Sequence, residues 1–160
     1  MGMKKLLNIS SVLAIVAGVV LVGGGWWGIC FTYKNIKAEN ITTPPDASIP
    51  GKQVLGPLTL KSQADVIRMH TLKMTGGKTY AEMPRQIEKL DANGATVLDA
   101  EGKPVMVPND ARNIWITATT LTTALHLGIL TYVFSALVIL FGLISIWTGF
   151  IFCKLAKKQA

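Results

Sequence analysis

The sequence is poor in the residues from which catalytic centres and secreted, cross-linked domains are built. It holds two cysteines and two histidines among 160 residues. Cys30 and Cys153 each lie near one end of a hydrophobic run. If both runs span a bilayer, the thiols stand on opposite faces, far beyond the Cα separation of about 7 Å that a disulfide tolerates. The segment between the runs has no cysteine, so packing, the flanking helices or a partner must hold it together. Acid is missing from both ends. All nine Asp and Glu residues fall between Glu39 and Asp110, while the ends carry Lys4, Lys5, Lys154, Lys157 and Lys158. From Lys34 to Arg112 eleven bases face nine acids, so the formal charge of +7 belongs mostly to the tails. The folded part has no basic excess of the kind nucleic-acid binding needs. Basic tails suit an anionic membrane leaflet instead.

Half of the residues are hydrophobic. The first long run is 6–33, and Val12 to Phe31 holds no charge. A hydrocarbon core of about 30 Å needs around 20 helical residues, so this run is expected to span. It is longer than the apolar core of a signal peptide, and no small-residue cleavage site follows it. Ile29 stands where a lipoprotein site before Cys30 needs a small residue, and Leu6 stands where myristoylation needs Ser or Thr. Trp26, Trp27 and Tyr33 suit the outer interfacial belt.

The second run, Ile114 to Cys153, contains one ionisable side chain, His126, before its terminal thiol. It is too long for one crossing, so the span is placed at 129–152, with 111–128 projecting from the membrane as the same helix. Pro108, Asn109 and Asp110 supply its start signal. The alternative is two helices broken near Gly128. Short basic tails at 1–5 and 153–160 favour both termini in the cytoplasm and the intervening segment, 34–110, outside.

Small residues recur along both spans. The first has Ala14 and Gly18, then Gly24 and Gly28, four apart; the second has Ser135, Gly142 and Gly149, seven apart. Such residues let helix backbones approach where packing rather than hydrophobicity drives association. Gly18, Gly24, Gly28, Ser135, Gly142 and Gly149 are therefore the expected packing positions. They serve either a hairpin of the two spans or association with a second copy or a larger membrane complex.

Between the spans, Lys34 to Pro57 is rich in proline and glycine and leaves no room for a long helix. A helix is expected at about 62–74, with Ser62 and Asp65 at capping-box spacing. Leu60, Ala64, Ile67, Thr71 and Met74 fall on its apolar face. Gly76-Gly77 terminates it. Residues 90–105 hold a tandem repeat, L-D-A-x-G-x-x-V, whose Asp-to-Gly spacing predicts two tight turns. Asp91, Asn93, Asp99 and Glu101 are oxygen donors, but no twelve-residue calcium loop with a closing glutamate is present. The fold expected is mainly α: a membrane hairpin of two transmembrane helices, the second extended, bearing a small extracytoplasmic α+β or irregular module.

Ala38-Glu39-Asn40-Ile41-Thr42, Gly56-Pro57-Leu58, Gln63-Ala64 with Ile67 and His70, and Thr75-Gly76-Gly77-Lys78-Thr79-Tyr80-Ala81-Glu82 follow one another in this order. The series resembles a family of small two-span membrane proteins of actinobacteria, of unknown function. Its members show E-N-I-T, G-P-F, Q-A-x-x-I-x-x-H and T-G-G-x-T-Y-A-E between their spans. The similarity covers about 38–83 and the flanking spans. This chain departs at Leu58, where the family has phenylalanine, and carries an additional segment at 85–108. Some members bear the label of aromatic ring-opening dioxygenase, an activity that uses two histidines and a carboxylate on iron. His70 and His126 meet that requirement only if the loop folds back on the long helix. Ser62 is explained by capping, and Cys30 has no charged neighbour to lower its pKa. Gly76-Gly77-Lys78 lacks the remainder of a phosphate loop. No catalytic residue, cofactor or metal is expected. The lipid bilayer is the expected partner, with the chain itself or a larger membrane complex next. The sequence thus favours a non-catalytic accessory or interaction protein of the cell envelope over a membrane metalloenzyme. A pore or holin-like element is disfavoured because neither span carries a charged stripe.

Overall fold

A computed structural model describes residues 2–158; residue 1 and residues 159–160, at the ends of the two expected tails, lie outside it. The chain is mainly helical. Helix α1 runs Met3–Ala38, α2 Pro57–Met74 and α3 Asp110–Lys158. A two-stranded antiparallel sheet pairs β1, Gln86–Glu88, with β2, Met106–Pro108. Two helices, α1 and α3, are long and apolar enough to cross a membrane.

Helix α3 is continuous over 49 residues, about 74 Å at a rise of about 1.5 Å per residue. The break considered near Gly128 is absent. Gly128 lies within the helix, and a Cβ there would meet the Leu60 and Ile36 side chains at 3.3 and 3.4 Å. Asn109 starts the helix: its side-chain oxygen accepts the Ala111 N–H at 3.1 Å. The expected tails are not separate segments either. Lys4 and Lys5 lie in the first turns of α1, and Lys154, Lys157 and Lys158 in the last turns of α3.

Helix α2 begins at Pro57, five residues before the expected start at Ser62. Proline lacks the N–H that a first helical turn leaves unpaired and has its φ preset for helix, so Gly56-Pro57 is a start signal. The Thr59 hydroxyl completes the turn by accepting the Gly56 N–H at 3.2 Å. Ser62 is not a cap but a buried residue inside the helix. It accepts hydrogen bonds from the Ile49 N–H at 3.0 Å and the Ser48 hydroxyl at 2.9 Å, tying the helix to the preceding loop. Asp65 pairs with Lys61 one turn back, at 2.7 Å. The loop itself is closed by Thr43, whose N–H donates to the Lys52 carbonyl while its own carbonyl accepts the Gly51 N–H.

Val54, Leu60, Ala64 and Leu125 form the buried core, flanked by Ile36, Ile41, Ile67, Ile129 and Tyr132. It sits where the end of α1, the start of α2 and the middle of α3 converge. The buried face of α2 also includes Ser62 and Val66. Met74, expected on that face, is the last residue of α2 and is 65% exposed, whereas Thr75 after it is buried.

The repeat forms two equivalent turns. In each, the aspartate carboxylate accepts two backbone N–H groups: Asp91 those of Asn93 and Ala95, Asp99 those of Glu101 and Lys103. Gly94 and Gly102 adopt φ of 80° and 77°, where a side chain would be strained. Three segments eight residues apart then close on one another. The Val97 N–H donates to the Lys89 carbonyl, Val105 to Val97, and Lys89 to Val105, at 2.8–2.9 Å.

Leu60→Ala should cost about 2–5 kcal/mol, the usual range for emptying a buried leucine site. Limited proteolysis should then cut within 39–109 while α1 and α3 stay paired. Met74→Ala should leave the protease pattern unchanged. Equal resistance of the two variants would show that Leu60 is not central to the core.

Candidate functional site

The closest contact in the chain is between α1 and α3. The buried positions of α1 are Ser11, Gly18, Gly25 and Thr32, and those of the C-terminal half of α3 are Ser135, Gly142, Gly149 and Ala156, both series at seven-residue intervals. The helices are antiparallel, and glycine faces glycine. A Cβ on Gly18 would lie 2.6 Å from the Gly142 carbonyl oxygen, and one on Gly142 would lie 2.8 Å from that of Gly18. A Cβ on Gly25 would meet the Ser135 carbonyl at 2.8 Å, and one on Gly149 the Ser11 carbonyl at 2.9 Å. Two hydroxyls cross the seam. Ser11 donates to the Gly149 carbonyl and Ser145 to the Ala14 carbonyl, each at 2.8 Å. Of the expected packing residues, Gly18, Gly28, Ser135, Gly142 and Gly149 lie on this seam. Gly24 does not: the space beside it is open, and Gly25, one step round the helix, takes its place. Ser11, Gly25, Thr32 and Ser145 were not anticipated. The seven-residue interval evident in α3 finds the first three when it is applied to α1.

The motif Thr75–Glu82 forms a latch between α2 and the projecting part of α3. The Trp115 indole N–H donates to the Lys78 carbonyl at 2.8 Å and to the Thr75 hydroxyl at 3.2 Å. Gly76 and Gly77, at φ of 62° and 80°, make the turn between them. Glu82 accepts the Thr79 N–H and hydroxyl at 2.6 and 2.8 Å, and those bonds hold its carboxyl below the ordinary range. The Arg112 guanidinium lies 3.8 Å from the Tyr80 ring centroid and donates to the Met83 carbonyl. The Asn109 amide donates to the Pro84 carbonyl at 3.0 Å. Thr75 and Lys78 thus join the motif to α3, while Thr79 and Glu82 bond to each other and cap the turn.

The two histidines are not brought together. His70 Nε2 donates to Asp46 Oδ2 at 2.6 Å, and this bond lowers the Asp46 pKa. His70 also borders an open cleft of about 520 Å³ beside Ile67, Ile114 and Leu121. His126 lies on the other flank of the α2–α3 contact, in a smaller cleft with Arg68, Trp115 and Thr119. Among the described residues no three His, Cys, Asp or Glu side chains are grouped to hold a metal ion. No family model, curated protein or solved structure matches this chain. The arrangement itself therefore carries the functional argument. It offers a tight helix pair, a latched projecting helix, and two clefts where α2 lies along α3.

Gly142→Leu should force the seam apart at a cost of about 1–3 kcal/mol, since overpacked side chains must displace backbone. With Cys30 and Cys153 replaced by serine, cysteines at Ala14 and Ser145 should crosslink in the parent and in Gly24→Leu but fail in Gly142→Leu. Equal crosslinking in both glycine variants would show the close approach to be incidental. A second expectation concerns acid. The Asp46 carboxylate titrates lower in the folded chain, so its tether to His70 is complete above the ordinary carboxylate range. The tether is lost as pH falls through the lowered value. Amide exchange over 44–51 should accelerate on that descent in the parent and should already be fast at neutral pH in Asp46→Asn. Indistinguishable exchange in the two proteins would show that the bond does not hold the loop.

Proposed function

We propose that this protein is a membrane-anchored, non-catalytic interaction protein of the cell envelope: a two-helix hairpin holding a small folded module outside the bilayer. The observation that carries this reading is the inside-out distribution of side chains on α1 and α3. Their small residues face each other, and their large apolar residues face outward. Val12, Val16, Val20, Phe134, Phe141 and Trp147 are each more than half exposed. Only 11% of the most apolar window of either helix is buried within the chain, whereas a core helix of a soluble protein is mostly buried. Lipid is the solvent that such surfaces fit. The seam along the length of α1 also argues for a retained anchor rather than a removed leader. Association through Ser135, Gly142 and Gly149 with another molecule has less support, because the chain's own first helix occupies that face.

The basic ends favour cytoplasmic termini. The resemblance to the two-span actinobacterial family fits the same picture, because the motifs that carry it build the latch and the helix starts. On this reading α3 lifts the paired turns of 90–105 clear of the surface. Leu90, Leu98 and Met106, one per eight-residue unit, are 58%, 57% and 48% exposed there.

In a background lacking Cys30 and Cys153, a membrane-impermeant maleimide should label Asn93→Cys in intact cells. Lys157→Cys should be labelled only after permeabilisation. The reverse pattern would invert the topology, and release of the protein by alkaline carbonate would overturn membrane anchoring. Photocrosslinkers at positions 90 and 98 should give a discrete protein adduct in cells. Failure at every position between 39 and 109 would overturn the interaction role.

A further inference from the structure

We propose that the smaller cleft between α2 and α3 is a phosphate-binding site at the membrane surface, suited to the headgroup of an anionic phospholipid. The proposal rests on the membrane reading above for its location, and on the cleft's own chemistry for its ligand. The cleft holds about 140 Å³ and is lined by Asp65, Arg68, Trp115, Thr119, Thr122 and His126. That is room for several waters, at about 30 Å³ each, and hence for one phosphate group.

Trp115 and Thr122 are hydrogen-bonded within the chain, but three other donors are uncommitted. The Arg68 guanidinium lies 5.5 Å from the Trp115 ring centroid, within cation–π range, an attraction that engages its charge and not its N–H donors. Among the described residues neither Arg68, nor the His126 ring, nor the Thr119 hydroxyl makes a hydrogen bond to the protein. The imidazole offers an N–H in either tautomer. Asp65 does not take up Arg68, because both its oxygens accept from Lys61 Nζ, at 2.7 and 3.0 Å. An arginine fork with a hydroxyl and an imidazole beside it matches the oxygens of a phosphate ester.

The depth fits as well. Leu60 lies against Gly128, while Trp115 bonds to Thr75 and Lys78, so α2 runs antiparallel to α3 with its N-terminus toward the span. His126 stands three residues before the apolar stretch that begins at Ile129, about 4–5 Å along the axis. Arg68 lies about one turn further out. The polar layer of a bilayer adds about 5–7 Å on each side of the hydrocarbon, so the cleft opens at phosphate level. Lys34 and Lys37, at the end of α1, are both exposed and stand near the same level of the antiparallel pair. Basic side chains immediately outside the first span are thereby given an electrostatic role.

The test uses the full chain in neutral detergent. Native mass spectrometry after exchange with vesicles of equal phosphatidylglycerol and phosphatidylcholine should show one phosphatidylglycerol retained per chain in preference to the neutral lipid. Calorimetric titration with inorganic phosphate forms the second arm. Saturable phosphate binding without lipid preference would assign the site to free phosphate, and lipid preference would assign it to the headgroup. Either ligand should bind about tenfold more weakly to Arg68→Gln and to His126→Gln, the usual effect of losing one charge-assisted bond. Lys89→Gln, at the paired turns and away from the cleft, should bind as the parent does. His126 is exposed and unbonded, so its variant carries the test if loss of the Arg68–Trp115 contact disturbs folding. Absence of both ligands, or undiminished binding in His126→Gln and a folded Arg68→Gln, would overturn the site. Vesicle flotation of the parent separates this outcome from failure of the membrane reading: a chain that floats but selects no anionic lipid and binds no phosphate loses the site alone.

Discussion

The backbones of α1 and α3 lie so close that a glycine on one meets a carbonyl oxygen on the other, and the rest of the molecule depends on that approach. Glycine or serine at seven-residue intervals is what permits it. A seven-residue repeat keeps one face of each helix turned to the other over several turns, where an ideal helix would drift away. With the seam full of small residues, large side chains have nowhere to go but outward. The same constraint that brings the helices together therefore produces the apolar exterior that suits lipid. The register also fixes where α1 ends. Ile36 arrives beside Gly128, and the loop after Asn40 must begin there. Hence the core around Val54, Leu60 and Leu125 forms at the junction of the three helices.

Above that junction, stability passes from small-residue packing to polar latches. A single projecting helix cannot bury much by itself. Helix α2 lies along it, held at its N-terminal end by Leu60 and by the loop bonded to Ser62, and at the other end by Trp115 on Thr75 and Lys78. The segment that leads into β1 and the paired turns, Met83 to Arg85, is fastened to the start of α3 through Asn109 and Arg112. The turns' own interior is a closed ring of three backbone hydrogen bonds rather than a hydrophobic core. This explains how a segment with no disulfide keeps its shape at such small size.

The sequence makes the long helices, the Gly76-Gly77 stop after α2 and the two turns legible because each has a local cause. Hydrophobic run length, glycine at positive φ and aspartate two and four residues before an N–H act within one element. What it hides depends on a partner. Gly24 and Gly25 are chemically identical, and only the register against Ser135 decides which one packs. The four-residue spacing of Gly24 and Gly28 is a sound template for helix contact, but the seven-residue spacing of α3 dictates the matching series on α1. Ser62 with Asp65 has the spacing of a cap, yet Gly56-Pro57 starts the helix earlier and frees the serine for the loop. A proline-rich approach reads as a break until its last proline is recognised as a first helical residue.

Function is hidden for a related reason. In the motif that looks most distinctive, Thr75 to Glu82, the Thr75 hydroxyl and the Lys78 carbonyl are engaged by Trp115, and Glu82 is engaged by Thr79. His70 is likewise engaged by Asp46. Other polar groups are left without a bond in the fold, the buried Gln63 Oε1 among them. Arg68, Thr119 and His126 border one cleft. A surplus of donors without acceptors costs little beside water, but it has no structural purpose there. Concentrated at the level where α3 leaves its apolar stretch, the surplus is complementary to the one chemical feature every phospholipid surface supplies. On the proposal above, a phosphate layer would supply the acceptors that these donors lack within the chain.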